Sequence, residues 1–263
     1  IINKYNRSGP RYTSYPTALE FSPMPEGLET KILQEREADA PLSLYFHIPF
    51  CRHLCYYCAC NKIITKKNSD AGDYLEYLMA EIKHKRSLLK TPADRKNPLV
   101  KQLHFGGGTP TFLQDNELIK LWEFLQTQFE FLPEDQGDYS IEIDPRELGD
   151  ETLTVLRNLG FNRVSLGVQD LDEKVQIAVN RINSAELIEN VLAEARRLGF
   201  HSTNVDLIYG LPHQTPTTLD KTVRRVIEMS PDRLSVFNYA HLPERFKSQH
   251  QIKEEDLPSP AAK

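Results

Sequence analysis

The stretch from Leu153 to Val168, LTVLRNLGFNRVSLGV, passes from a helical pattern to a strand pattern across one glycine. Leucines recur at the spacing of an amphipathic helix before Gly160, and alternating apolar residues follow it. Residues 192–208, LAEARRLGFHSTNVDLI, repeat this order around Gly199. A glycine in this position supplies the left-handed backbone that ends a helix. Helices and strands that alternate in this way predict βα units, whose right-handed connections give a parallel sheet.

Six short apolar runs along the chain are typical of strands. They are residues 42–47, 99–105, 139–143, 163–168, 203–208 and 234–237. Between them, helical spacing of apolar residues is found over 74–82, 118–125, 153–159, 187–198 and 219–227. Six units are too few to close an eight-stranded barrel, so we predict an α/β fold with a partial (β/α)6 barrel, with a doubly wound sheet as the alternative. In either fold the site lies at the carboxyl ends of the strands.

The pattern divides the chain into three parts. Residues 1–40 include the segment GPRYTSYP and show little periodicity, which predicts an extended N-terminal arm. Residues 41–241 hold the βα units and form the predicted barrel domain. Residues 242–263 are polar and proline-rich, which is more typical of a linker than of a core element.

Composition narrows the function classes. The 263 residues carry a formal net charge of −5, which argues against a chain whose main task is binding nucleic acid or an anionic membrane. The sequence has no apolar run of membrane-spanning length and no apolar core of a signal peptide near its start, so we expect a cytoplasmic protein. A monomer is the expected oligomeric state.

All four cysteines lie within ten residues, directly after the first predicted strand. They are Cys51, Cys55, Cys58 and Cys60, in the pattern C-x3-C-x2-C-x-C. Disulfides within so short a segment would constrain little, so metal or redox chemistry is the better interpretation. Three closely spaced thiolates can hold three irons of a 4Fe-4S cluster and leave the fourth iron open to another ligand. Zinc or buried structural thiols are the alternatives.

Other polar residues fall where a site of this fold would lie. The glycines of residues 106–108 follow the second strand, where they allow close approach of a ligand or simply form a tight turn. Glu142, Gln169 and Asp206 lie in or at the end of inner strands, where a buried carboxylate needs a partner, and a ligand is one such partner. Tyr45 shares a strand face with His47 by alternation. A packed core tyrosine is the interpretation of Tyr45 that the residues alone favour.

The cysteine pattern and its setting resemble the radical S-adenosylmethionine enzymes, in which C-x3-C-x2-C follows the first strand of a βα barrel and an aromatic residue, here Tyr57, precedes the third cysteine. The flanking motifs resemble the oxygen-independent coproporphyrinogen III oxidases within that superfamily. These motifs are RYTSYPTA (11–18), the fourth cysteine Cys60, GGGTPT (106–111), EIDPR (142–146), GVQ (167–169), DLIYGLP (206–212) and NYAH (238–241). The resemblance runs from about Tyr5 to Pro260. Proteins of this family carry a further C-terminal domain that the sequence here lacks.

The resemblance implies the cofactors and the roles of individual residues. It implies a 4Fe-4S cluster on Cys51, Cys55 and Cys58 and S-adenosylmethionine on the open iron. The residues it assigns to cofactor binding are Tyr45, Tyr57, Gly107, Gly108, Thr109, Glu142, Gln169, Arg181, Asp206 and Ala240. Tyr45 and Cys60 are further assigned to the catalytic set, although a small buried cysteine without chemistry is an equal alternative for Cys60. Arg181 would hold the carboxylate of S-adenosylmethionine through a charge-assisted pair, and a solvated surface role is nearly as well supported by the residues alone.

The implied reaction is the oxidative decarboxylation of two propionates of coproporphyrinogen III to vinyl groups, giving protoporphyrinogen IX in heme biosynthesis. A substrate with four propionates needs local cations on an acidic protein, and Arg7, Arg11 and Lys62 are our candidates. A flavodoxin-type reductant is the expected electron donor. Two other hypotheses remain: a heme-binding chaperone of the same superfamily without decarboxylase activity, and a zinc-stabilised βα barrel with unrelated chemistry.

Overall fold

A computed structural model describes residues 20–262 of the chain. The strands are β1 (Leu42–Ile48), β2 (Phe50–Cys51), β3 (Ile63–Ile64), β4 (Leu99–Gly107), β5 (Glu130–Phe131), β6 (Asp138–Ile143), β7 (Arg163–Gln169), β8 (Ser202–Tyr209) and β9 (Arg233–Asn238). The α-helices are α1 (Leu28–Glu35), α2 (Ser69–Leu88), α3 (Asp115–Gln128), α4 (Thr152–Asn158), α5 (Glu173–Ala178), α6 (Ala185–Arg197) and α7 (Pro216–Glu228). Short 3-10 turns cover Pro110–Phe112, Pro145–Glu147, Lys247–Gln251 and Glu254–Asp256.

The main sheet is parallel and follows chain order. Its strands run β1-β4-β6-β7-β8-β9, with the short β5 added beside β4. This sequential order, with β1 and β9 at the two edges, is that of an open barrel, and it confirms the predicted partial (β/α)6 architecture. A doubly wound sheet would place its first strand in the middle of the order instead.

Alternation along the strands explains why helices cover only one face. In β7, buried residues such as Val164 and Leu166 alternate with half-buried Arg163 and Ser165. The buried set packs against apolar residues of the helices, including Leu121 of α3 and Leu192 of α6, in one core. The opposite face of the sheet is polar and open. It lines the inside of the partial barrel, where a ligand can lie.

The repeated helix-to-strand passage has the same geometry at both predicted positions. Gly160 and Gly199 have φ values of +100° and +80°. After each glycine, the next residue donates back to the helix, Phe161 to the carbonyl of Leu156 at 3.1 Å and Phe200 to that of Ala195 at 3.0 Å. These bonds satisfy carbonyls at the helix ends and turn the chain into the next strand.

The N-terminal arm differs from the expectation in its described part. Residues 28–35 form helix α1, whereas the sequence predicted an extended arm over 1–40. The helix has no buried residue, so it carries no strong apolar periodicity that the sequence could reveal. It is joined to α2 by an ion pair between Glu29 and Lys85.

The segment after β9 is packed against the barrel, although its composition suggested a linker. Gln249 and Ile252 are 1% and 5% exposed. Ile252 belongs to a second apolar cluster with Val175, Leu211 and Tyr239. A few buried residues among many polar ones are enough to dock a segment, and composition does not register them.

No helix within residues 20–262 combines the length and the apolar character that crossing a membrane requires.

Candidate active site

A cavity of about 270 Å³ lies at the carboxyl ends of the strands of the main sheet. Its walls come from the cysteine loop after β1, the glycine turn after β4 and the ends of β6, β7 and β8. Of the predicted site residues it is lined by Cys51, Cys55, Tyr57, Cys58, Cys60, Lys62, Gly107, Gly108, Thr109, Glu142, Gln169, Arg181 and Asp206. A second polar pocket of about 340 Å³ continues down the inner face and shares Glu142 and Asp206 with the first.

The cysteine loop is fixed by backbone hydrogen bonds at both ends. Strands β2 and β3 pair across its base, with Ile63 donating to the carbonyl of Pro49 at 2.7 Å. Near its middle, the amide of Tyr56 donates to the carbonyl of Val179 at 3.0 Å. The loop therefore presents its thiols from a rigid frame, as a preorganised metal site requires.

The thiols have different environments. The thiol and backbone N–H of Cys60, together with the Lys62 ammonium, lower the pKa of Cys58 to about 6 despite its burial. The same hydrogen bond to Cys58 raises the pKa of Cys60 far above its ordinary value. Burial raises the pKa of Cys51 to about 11, although the Thr109 hydroxyl lies 3.6 Å from its Sγ and opposes the rise.

Thiol alkylation of the cluster-free protein tests these differences. The thiolate is the reactive form, so iodoacetamide should modify Cys58 half-maximally near pH 6 and should modify Cys51 only at strongly alkaline pH. Mass spectrometry of peptides sampled across pH measures both. Lys62→Gln removes the nearby ammonium and should move the Cys58 profile to higher pH. Identical pH profiles for Cys51 and Cys58 would contradict the assignment.

The glycine turn is shaped by its close contacts. Gly107 has a φ of +116°, and a Cβ there would lie 2.6 Å from the His47 ring. A Cβ on Gly108 would lie 2.7 Å from the backbone of Pro49 and Phe50. These two glycines therefore allow the turn to pack against the chain that leads into the cysteine loop, which places the Thr109 hydroxyl near Cys51.

The two carboxylates of the inner face have different partners. Glu142 accepts from the backbone N–H of Gly107 at 3.2 Å and lies 3.3 Å from Nε2 of His104. Asp206 accepts from the side-chain amide of Asn204 at 2.7 Å. Burial, together with the charge of Glu142, raises the pKa of Asp206 against the hydrogen bond from Asn204. Both carboxylates keep a free side toward the cavity.

Gln169 ends β7 in a strained conformation. Its φ is +71°, and the pairing of β7 with β8 shifts register at this point. Its side-chain Oε1 is buried without a hydrogen-bond partner among the described residues. A buried acceptor of this kind is costly unless a ligand donates to it.

Arg181 has most of its donors committed within the protein. Its Nε donates to the carbonyl of Gly167 at 2.8 Å, and its Nη1 lies 3.0 Å from Asp144 Oδ2 and 3.5 Å from Cys55 Sγ. The side chain is buried, so the structure excludes the solvated surface position considered from the sequence. Asp144 and Arg146, which lie beside it, were quoted in a motif but not assigned to the site.

Some predicted residues lie away from the cavity. Tyr45 is 57% exposed, stacks on His104 at a ring separation of 5.7 Å and does not line the cavity. Its high exposure excludes the packed core position. Ala240 is exposed and also lies outside the lining residues. Arg7 and Arg11 lie outside the described residues. Lys62 lies at the cavity wall and donates to the carbonyl of Cys58 at 3.0 Å.

The segment after β9 contributes contacts that sequence reasoning missed. The Gln249 amide nitrogen donates to the carbonyls of Tyr57 and Ala240, at 3.1 and 3.2 Å, and its oxygen accepts from the N–H of Leu242 at 2.6 Å. Ser248 donates to the carbonyl of Cys58 at 3.1 Å. A buried glutamine thus joins the cysteine loop to the end of the barrel. A single polar residue in a polar segment carries no signal that could have revealed this.

Gln249→Ala should destabilise the protein by about 1–3 kcal/mol, because it leaves buried backbone groups without partners. Urea unfolding measures the change in the free energy of unfolding. Gln251→Ala, at an exposed position of the same turn, is the matched control and should leave stability nearly unchanged. Equal stability of the two variants would show that the contacts of Gln249 contribute nothing.

A sequence profile of the radical SAM superfamily matches residues 45–226, which is more than half of the chain. The chain therefore belongs to the radical SAM superfamily. Within that class it is 52% identical over 268 residues to an oxygen-independent coproporphyrinogen III oxidase from Pseudomonas aeruginosa, and 52% identical over 265 residues to one from Escherichia coli. These matches cover 100% of this chain and 56% of each relative, so the chain spans about half the length of the curated relatives it matches.

Solved structures give the same relationship. The coproporphyrinogen III oxidase of Escherichia coli, described as a radical SAM enzyme, superposes with a TM-score of 0.89 at 50% identity, over 96% of this chain and 56% of that one. A radical S-adenosylmethionine methyltransferase from Kitasatospora setae superposes with a TM-score of 0.55 at 14% identity, over 82% of this chain and 40% of that one, a likeness of fold alone.

A 4Fe-4S cluster and S-adenosylmethionine are the cofactors of this class. The residues present fit both. Cys51, Cys55 and Cys58 are free thiols on one rigid loop and line one cavity. The buried, unpaired Oε1 of Gln169 on the same cavity offers an acceptor for a ligand hydroxyl or amine.

Proposed function

We propose that this chain carries the cofactor-binding part of an oxygen-independent coproporphyrinogen III oxidase, which converts two propionates of coproporphyrinogen III to vinyl groups and yields protoporphyrinogen IX. The observation that carries the proposal is the placement of Cys51, Cys55 and Cys58 on one cavity with the glycine turn and the inner-face carboxylates. The identity of 52% to oxidases of that name supports it over the whole chain.

When bound, the cluster and S-adenosylmethionine supply an electron and the 5′-deoxyadenosyl radical that takes hydrogen from a propionate. The protein's own residues bind and orient. Cys51, Cys55 and Cys58 hold three irons, and the turn at Gly107 brings its backbone close to the open position. This division of labour, with hard chemistry on the cofactor and placement by the protein, is general for cofactor enzymes.

The polar wall of the cavity would position S-adenosylmethionine. Glu142 and Asp206 are ordered by Gly107 and Asn204, and each offers a carboxylate oxygen to an amine or hydroxyl of the ligand. Gln169 offers its unpaired oxygen. The carboxylate of the ligand would meet Arg181 only through the one or two N–H groups that its internal partners leave over. Enclosure by the barrel wall keeps water from the reactive centre.

Further features of the proposed enzyme are inferred more indirectly. Ala59 and Cys60 are exposed beside the cluster ligands, which would give a small flavodoxin-type protein a short path for electron transfer. Free cysteines fit a reducing compartment, and we infer a cytoplasmic location. Lys62 at the cavity wall is the described candidate for a substrate propionate, with Arg7 and Arg11 as the candidates in the arm. A monomer, the barrel domain at 41–241 and a C-terminal domain beyond it complete the proposal.

A chimaera tests the function. Residues 20–262 of this chain would replace the matched region of the Pseudomonas aeruginosa oxidase, and the protein would be reconstituted anaerobically with iron and sulfide. Incubation with reductant, S-adenosylmethionine and coproporphyrinogen III should yield protoporphyrinogen IX, measured by chromatography after oxidation to porphyrin. The Cys55→Ser chimaera is the inactive control. A chimaera that holds its cluster and cleaves S-adenosylmethionine but forms no vinyl product would contradict the proposal and would favour the heme-binding chaperone.

A further inference from the structure

Two guanidinium groups and one carboxylate surround the Sγ of Cys55. Nη1 of Arg181 lies 3.5 Å from this sulfur and Nη2 of Arg146 lies 3.9 Å from it. Asp144 lies between the arginines, with its Oδ2 2.6 Å from Arg146 Nη2 and 3.0 Å from Arg181 Nη1. Cys55 is the one buried member of the cysteine set, at 7% exposure.

The three charged side chains are held rigidly. Asp144 precedes the 3-10 turn Pro145–Glu147, and its Oδ1 accepts from both the backbone N–H and the Nε of Arg146. The Arg181 guanidinium is fixed on the other side by the carbonyl of Gly167, and a Cβ on Gly167 would lie 2.9 Å from its Nη2. These contacts place both arginines against the sulfur without any ligand.

The arrangement gives Cys55 a net positive surrounding in a dry environment. Two positive charges and one negative charge leave an excess of about one positive charge, and Asp144 and Arg181 are 5% and 8% exposed. Charges act strongly where water is excluded. The other ligands have different neighbours: Cys51 faces the Thr109 hydroxyl, and Cys58 faces the backbone of Cys60. The charged set therefore acts on one ligand in particular.

We propose that Arg146, Asp144 and Arg181 form an electrostatic cradle for Cys55 that sets the reduction potential of the bound cluster. The proposal rests on the cluster site proposed above. Hydrogen bonds to cluster sulfurs and nearby positive charge stabilise the reduced, more negative state and so raise the potential. The carboxylate of Asp144 partly offsets the arginines. Arg181 thus acts on the cluster side of the cavity, in addition to any contact with S-adenosylmethionine, and all three are positioning residues.

The sign of the change in potential distinguishes this role from a structural one. The midpoint potential would be measured by redox titration followed by electron paramagnetic resonance, on the anaerobically reconstituted protein without S-adenosylmethionine or substrate. Arg146→Gln removes a positive charge and should move the potential to more negative values. Asp144→Asn removes the negative charge and should move it to more positive values. Arg146→Lys keeps the charge and should lie between wild type and Arg146→Gln.

Arg224→Gln, on the exposed surface of α7, is the control and should leave the potential unchanged. Shifts of the same sign for Arg146→Gln and Asp144→Asn, or no shift in either, would overturn the proposal, as would loss of the cluster in every variant including Arg146→Lys. Should Arg146→Gln alone fail to hold a cluster, the shift of Asp144→Asn against wild type decides. These measurements need no turnover, so a failure of the decarboxylase proposal would appear separately as wild-type protein with normal shifts and no vinyl product.

Discussion

Replacing Cys51, Cys55 or Cys58 with serine is expected to abolish the visible absorption of a reconstituted 4Fe-4S cluster, together with all cleavage of S-adenosylmethionine. Each of these thiols lines the cavity and holds one iron in the proposed site. A hydroxyl is a poor replacement for a thiolate ligand. Iron and sulfide analysis of anaerobically reconstituted variants, with chromatography of 5′-deoxyadenosine, measures both effects.

Cys60→Ser is the matched control, because it removes a thiol from the same loop. Cys60 is exposed and contacts Cys58 through its backbone N–H, which serine retains. The variant should keep its iron. If Cys60→Ser lost as much iron as the other three, all four cysteines would be ligands, no iron would remain open, and the account of the site would be wrong.

The second large effect is expected at the inner-face carboxylates. Glu142→Gln and Asp206→Asn should each weaken S-adenosylmethionine binding by about 1.5–3 kcal/mol, the usual contribution of a hydrogen bond to a charged group. This corresponds to a loss of affinity of roughly 10- to 150-fold. Isothermal titration calorimetry on cluster-loaded protein measures it, and the amide variants keep the shape of each side chain.

Glu76→Gln changes the same charge at an exposed position of α2 and should bind the ligand as wild type does. Unfolding curves of the variants at the inner face should stay close to wild type, since both carboxylates lie beside the cavity rather than in the apolar core. Unchanged affinity in both variants would mean that these carboxylates only order the sheet.

The fold could be predicted from the sequence because its signals are local. Every predicted strand is present within two residues at each end, since alternation and apolar runs record which face of a strand is buried. The helix ends at Gly160 and Gly199 were predicted for the same reason. Six strands in chain order then leave few topologies. Helix α1 was missed because it buries nothing.

The site was predicted less completely, because its geometry depends on residues far apart in the chain. Thirteen of the predicted residues line one cavity, and the family resemblance rather than periodicity supplied most of them. Tyr45 lies elsewhere because the inner face beyond His47 opens to solvent, and Ala240 offers its carbonyl to Gln249. The contacts of Arg146 with Cys55 and of Gln249 with Tyr57 join segments separated by 91 and 192 residues. No local pattern encodes such contacts.

The most direct test of the central claim is the fate of hydrogen from the substrate. Coproporphyrinogen III deuterated in its propionate side chains would be given to the reduced, cluster-loaded chimaera with S-adenosylmethionine, and the 5′-deoxyadenosine formed would be analysed by mass spectrometry. The account predicts 5′-deoxyadenosine that carries deuterium, in step with the appearance of vinyl groups. Formation of unlabelled 5′-deoxyadenosine only, with the substrate unchanged, would contradict it.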